Sequence, residues 1–124
     1  VLCPLVPLYL RQEQEAPAAA LRAAGLALAL STDFNPGSCF LQSLPEVMTF
    51  AALRYRMSAA ECLTAVTLNA AASLARAHEL GSLEPGKRAD VLVLDVPNHK
   101  HLCYEFGRNP VAAVVVRGRV VLER

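Results

Sequence analysis

The sequence predicts an α/β unit with parallel strand pairing, followed by a separate β-rich segment. Three observations carry that expectation. Two short apolar runs, residues 1–6 and 26–30, flank an Ala-rich stretch, and strand–helix–strand order joins parallel strands. The second run, Leu26-Ala27-Leu28-Ala29-Leu30, is too short for a comfortable helix and ends in Ser31-Thr32-Asp33. Buried parallel strands look like this when they carry a polar group to a sheet rim. Beyond residue 80 the helical spacing gives way to Val- and Leu-rich runs broken by Pro-Gly and Arg-Gly pairs.

Taken in order, residues 1–6 read as a short buried strand ended by Pro7, and residues 8–15 as a loop that turns polar. Pro17 suits the first turn of a helix through Ala24, and Gly25 stands where a helix stops. After Leu30 an Asn35-Pro36-Gly37 loop leads into Ser43-Leu44-Pro45-Glu46, which has the form of a capping box. Leu44, Val47, Met48, Ala51, Ala52 and Tyr55 then share one helix face. Ser58-Ala59-Ala60-Glu61 is a second capping box, and Thr67 or Asn69 caps a third helical piece. In the tail, residues 91–94, 111–116 and 120–122 read as strands, with Arg117-Gly118-Arg119 as a hairpin connection. The change of pattern puts a boundary near Leu80-Gly81, dividing the chain into residues 1–80 and 81–124.

Composition narrows the function classes. The 124 residues are 54% hydrophobic, enough for a core, and the net charge of +1, with scattered basic residues, gives no electrostatic case for nucleic acid or an anionic membrane. Charges interrupt every long apolar run, so no segment reads as membrane-spanning. Cys3, Cys39, Cys62 and Cys103 lie far apart with no C-x-x-C pair, so free, mostly buried thiols in a reducing compartment are expected. The chain starts on an apolar strand-like segment rather than on Met, as a piece of a longer polypeptide does.

Asp33 is the first candidate functional residue, because ligands and catalytic groups gather at the carboxyl ends of parallel strands. The same residue types also suit a plain turn. Ser31-Thr32-Asp33-Phe34-Asn35-Pro36-Gly37-Ser38 resembles the end of the eighth barrel strand in imidazolonepropionases, which are members of the amidohydrolase superfamily. Residues 45–49 and 65–71 are similar to the helices that follow in that family. Residues 81–91 and Phe106-Gly107-Arg108-Asn109-Pro110-Val111 are similar to the return into the small β domain of amidohydrolases.

The resemblance implies an α/β fold: the last two strand–helix units of a TIM (β/α)8 barrel over residues 1–80, and part of a β-sandwich domain over 81–124. It implies hydrolysis of 4-imidazolone-5-propanoate to N-formimidoyl-L-glutamate, a cytoplasmic step of histidine degradation, with one divalent metal, zinc or iron. Asp33 is then a metal ligand and accepts a proton from the water the metal activates. Asn35, Gly37 and Ser38 match positions that contact substrate or product: an amide with a donor and an acceptor, a glycine allowing close approach, and a hydroxyl beside successive N–H groups. The family's other metal ligands, an H-x-H pair and a further His, have no counterpart in this chain. A catalytic zinc needs about three protein ligands, so the chain alone is expected to be inactive and to need the missing N-terminal part of the barrel as partner. Apolar barrel faces are expected to be exposed, and a homodimer of the full-length protein is the further partner expected.

The remaining polar residues have plainer readings. His99-x-His101 has the shape of the missing pair but reads as a solvated strand edge, and His78 sits where a cation favours a helix C-terminus. Asp90 and Asp95 read as strand-end hydrogen bonders, Lys87-Arg88 as a solvated basic spot, and Glu46 and Glu61 as capping residues. Ser31 and Ser38 have no evident base, which leaves serine nucleophile chemistry unsupported, while Cys39 lies close enough in sequence to line the site. Two other readings stay open: another cyclic amidase or deaminase of the superfamily, and a non-catalytic α/β interaction module.

Overall fold

The computed structural model describes residues 1–124. Leu2 and Leu30 form a single parallel bridge, with Leu2 N donating to Ala29 O at 2.7 Å and Ser31 N to Leu2 O at 3.0 Å. Leu28, Ala29 and Leu30 are all buried, as expected of a strand covered on both faces. The pairing runs no further. Residues 1–6 are not one strand, because Pro4 and Leu5 turn and helix α1 (Val6–Tyr9) begins with Pro7 in its first turn. Proline has its ring torsion preset for that position, so Pro7 helps start a helix rather than merely ending a strand.

Helix α2 (Ala18–Ala23) follows, with Pro17 one place earlier than expected, at the N-cap. Gly25, at φ +75°, completes its end: Gly25 N donates to Arg22 O and Leu26 N to Leu21 O. Helix α3 (Leu44–Tyr55) starts at Ser43, whose hydroxyl accepts from Glu46 N, and it buries Val47, Met48, Thr49, Ala51 and Tyr55. Leu44, expected on that face, is exposed at the first position of the helix. Helix α4 (Ala59–Val66) has a complete reciprocal capping box between Ser58 and Glu61 and buries Cys62 and Ala65. Helix α5 (Leu68–Ser73) has Thr67 at its N-cap without a side-chain cap, since the Thr67 hydroxyl donates back to Leu63 O at 2.7 Å.

Helix α5 stops early. Ala75 takes a left-handed conformation (φ +57°), with Ala75 N donating to Ala72 O and Arg76 N to Ala71 O. His78 therefore lies five residues beyond the helix, and the dipole explanation for it fails.

The tail forms a three-stranded antiparallel sheet in the order β1 (Val91–Leu94), β2 (Val111–Val116), β3 (Arg119–Glu123). Arg117 (φ +49°) and Gly118 (φ +76°) make a two-residue connection with both central residues left-handed, which matches the twist of the strands it joins. Every residue of β3 is exposed, including Val120, Val121 and Leu122. Between β1 and β2 a 3-10 turn (His99–Cys103) packs on α3 and α4 and delivers Leu102 to the core.

Leu102 thus shares one buried cluster with Leu28, Leu30, Val47, Cys62 and Ala65. Only 18 of 124 residues are buried, while Leu26, Phe40, Leu53, Leu74 and Leu83 are more than half exposed, so much apolar surface stays uncovered. No helix is long and apolar enough to cross a membrane.

Candidate functional site

The loop after Leu30 is organised by its own polar side chains. Asn35 and Cys39 pair across its neck, with Asn35 N donating to Cys39 O at 3.0 Å and Cys39 N to Asn35 O at 3.3 Å. Inside, Asn35 Oδ1 accepts from Gly37 N at 2.8 Å and Ser38 N at 3.0 Å, so one side chain satisfies two backbone donors. Asn35 Nδ2 donates to Asp33 O at 2.9 Å and to Ser38 Oγ. Ser38 Oγ in turn donates to Asp33 Oδ2 at 2.6 Å.

All four residues singled out from the sequence therefore meet in one hydrogen-bonded loop. A Cβ on Gly37 would come 3.2 Å from Asn35 Oδ1, which is why the smallest residue suits that place. Asp33 holds a left-handed backbone (φ +50°), a conformation in which a short polar side chain is among the better tolerated. Its own N–H reaches back to Ser31 Oγ at 3.4 Å, and Phe34 N to Thr32 Oγ1 at 3.2 Å. Phe34 and Phe40 close the outer side with ring centroids 5.0 Å apart.

Two helices fix the strand that carries this loop. Leu30 N donates to Ala65 O of α4 at 3.1 Å, and Asn69 Nδ2 of α5 donates to Leu28 O at 2.8 Å. The sequence reading gave Asn69 a capping role; the fold uses it as a strand anchor, because α5 crosses at the level of Leu28.

Cys3 is the neighbour that sequence reasoning missed. The Leu2–Leu30 register carries residue 3 toward the same strand end as Asp33. Burial and then the Asp33 carboxylate push the Cys3 thiol up, so it stays protonated there. Cys39 is buried beneath the loop neck. Parallel pairing of the two apolar runs was the signal for Cys3, but only with the register known.

The other polar groups are engaged elsewhere. His99 and His101 lie on the 3-10 turn rather than on a strand, and His101 Nδ1 is 2.8 Å from Glu105 Oε1. Lys87 and Arg88 are paired instead of merely solvated: Lys87 with Ser82 and Glu84, Arg88 with Asp90. Asp90 Oδ1 also accepts Arg117 N at 2.9 Å, and Asp95 receives Arg108. The Arg117 N–H, followed by the Arg88 guanidinium, holds the Asp90 carboxyl below its ordinary value.

As to a metal, Asp33 offers one oxygen donor: Oδ2 takes the Ser38 proton, and no hydrogen bond within the chain engages Oδ1. No group of three or more His, Cys, Asp and Glu side chains comes together anywhere in the chain. The residues present thus fit one position of a metal's ligand set, not a whole one.

Comparison with known proteins agrees with this architecture. The chain is 51% identical over 100 residues to an imidazolonepropionase of Geobacillus sp., covering 81% of this chain and 24% of that protein. It is 46% identical over 120 residues to the imidazolonepropionase of Porphyromonas gingivalis, covering 97% of this chain and 28% of the relative. Among solved structures, an adenosine deaminase from Xanthomonas campestris with bound zinc superposes with a TM-score of 0.87 at 29% identity, over 98% of this chain and 31% of that one. The chain spans about a quarter of the length of the curated relatives it matches. With a family profile, the amidohydrolase family, matching residues 1–121, the chain belongs to that family.

Proposed function

We propose that this chain supplies the C-terminal part of a metal-dependent imidazolonepropionase, which hydrolyses 4-imidazolone-5-propanoate to N-formimidoyl-L-glutamate in cytoplasmic histidine degradation. Residues 1–80 contribute the last strand–helix units of a TIM barrel, and residues 81–124 a segment of its small β domain. The observation that carries the reading is the carboxylate of Asp33, held by Ser38, which Asn35 holds in turn, just beyond the buried Leu28–Leu30 segment. Identity of 42–51% to imidazolonepropionases favours this substrate over the purine of the structurally similar adenosine deaminase, which is 29% identical.

A divalent metal, zinc or iron, supplies a more acidic water and polarises the ring carbonyl when bound. Asp33 would be the residue of this chain that holds the ion, and its carboxylate would accept a proton from the attacking water and return it to the departing ring nitrogen. Ser38 keeps Asp33 in one orientation through Oδ2. Asn35, Gly37 and Ser38 border the substrate; because the Gly37 and Ser38 N–H groups already serve Asn35 Oδ1 and the Ser38 hydroxyl serves Asp33, they shape the wall of the site rather than donate to the substrate carboxylate. The remaining ligands come from the rest of the barrel, so residues 1–124 alone are inactive.

The test assays the intact protein, with zinc and iron content measured on the same material, against 4-imidazolone-5-propanoate and adenosine. Opening of the imidazolone ring without ammonia release from adenosine is expected. Stoichiometric metal and turnover by residues 1–124 alone would refute the division of ligands, and deamination without ring opening would refute the substrate.

A further inference from the structure

Two of the four thiols meet at a place the Asp33 loop does not use. Cys62 is fully enclosed on α4, with Sγ 3.6 Å from Met48 O. Cys103 ends the 3-10 turn that packs directly on α4, and it lies half-buried against the cluster that contains Cys62. The turn that ends in Cys103 lies directly on the helix that carries Cys62, and each thiol shifts the ionisation of the other. Cys3 and Cys39 are also neighbours, but the adjacent Asp33 charge disfavours ionising Cys3.

We propose that Cys62 and Cys103 form a reversible thiol–disulfide pair whose oxidant is a small disulfide of the glutathione type. The pair is asymmetric in the way such exchange requires. The neighbouring Cys62 holds the Cys103 thiol below its ordinary value, whereas Cys103, together with burial, pushes Cys62 up. Cys103 therefore ionises first, and it is the partner with access to solvent. Its thiolate attacks one sulfur of the small disulfide, giving a mixed disulfide and one small thiolate, which takes the Cys103 proton. Cys62 then loses its proton and attacks the Cys103 sulfur, forming the Cys62–Cys103 bond and expelling the second small thiolate, which takes that proton. Each cysteine gives up one electron, and the small disulfide is reduced to two thiols. The bond ties the turn between β1 and β2 to α4, the helix whose Ala65 carbonyl holds Leu30.

The test equilibrates the intact protein at falling ratios of reduced to oxidised glutathione and caps free thiols with N-ethylmaleimide. Tryptic peptides are then mapped without reduction. The expected result is one peptide pair joining residues 57–76 to residues 101–108, lighter by two hydrogens than the separate peptides and split by a reductant. In Cys103→Ser, with its fold checked by circular dichroism, the pair is absent and Cys62 caps about tenfold more slowly than Cys103 does in the unaltered protein. A glutathione adduct on Cys103 that never resolves onto Cys62, bridges scattered among other cysteines, or no bridge at any ratio overturns the proposal. The peptide map of the unaltered protein decides the matter even if the variant does not fold.

Discussion

Ser38 gives its one hydroxyl proton to Asp33 Oδ2 across 2.6 Å while accepting from Asn35 Nδ2. The carboxylate is thereby fixed through one oxygen, while no hydrogen bond of the chain engages the other. Ser38→Ala in the intact enzyme should lower kcat about 10- to 100-fold, the size seen when a group orienting a ligand is lost. Asp33→Asn should lower it by at least about a thousandfold and reduce bound metal, since the proposed proton acceptor and metal ligand is removed. Steady-state kinetics with metal analysis checks both. Equal kcat in the Ser38 variant would mean that the hydroxyl does not orient the acid.

Acid sensitivity should depend on Glu61. Its carboxyl sits below its ordinary value because the Ser58 N–H, the Ser58 hydroxyl and then Arg22 stabilise the charged form. The unfolded chain binds that proton more tightly than the folded one. The contribution is therefore complete above the ordinary value of 4.5 and is lost as pH falls through the lower folded value. Glu61→Gln keeps a capping side chain but no charge. It should cost less than about 1 kcal/mol at neutral pH, the group being partly exposed, and should flatten the decline below pH 4.5 in urea titrations.

Gly81 has a stricter requirement than a turn alone imposes. At φ +88°, a Cβ would lie 2.9 Å from Ala71 Cβ, Leu68 Cα and Thr67 O, so the chain passes directly against α5. Gly81→Ala should destabilise the intact protein by about 3 kcal/mol through backbone strain and overpacking, visible as a lower Tm. An unchanged Tm would show that the segment is free to move away.

Arg117 sits left-handed in the hairpin at φ +49°, a place that suits Asn better. Because only its backbone N–H is used by Asp90, Arg117→Asn keeps that bond. A gain of about 0.5–1 kcal/mol is expected in denaturant midpoints of the intact protein.

Local features were legible where local physics fixes them. The Ser58-to-Glu61 box, the stop at Gly25, the β1 run and the Arg117-Gly118 turn each depend on residues a few places apart. The Asn35-to-Ser38 loop was legible for the same reason, since its hydrogen bonds close within five residues. Less was legible where distant segments compete for the same groups. Asn69 offered a cap by pattern, yet its amide goes to Leu28 O, 41 positions away. Arg22 looked like one more helix residue, but its guanidinium joins Tyr55 O, Arg56 O and Glu61. His101 suggested a strand edge, and the 3-10 turn instead packs Leu102 into the helical core.

By itself, the sequence determined helices α2 to α4, the strands of the β tail and the acid placed after an apolar run, because spacing, caps and turn residues act over a few neighbours. Only the tertiary structure decided which side chains meet around that acid's strand. The pairing of Leu2 with Leu30, the approach of Cys3 to Asp33 and the packing of the Cys103 turn on the helix of Cys62 depend on register and helix packing, which no local pattern encodes.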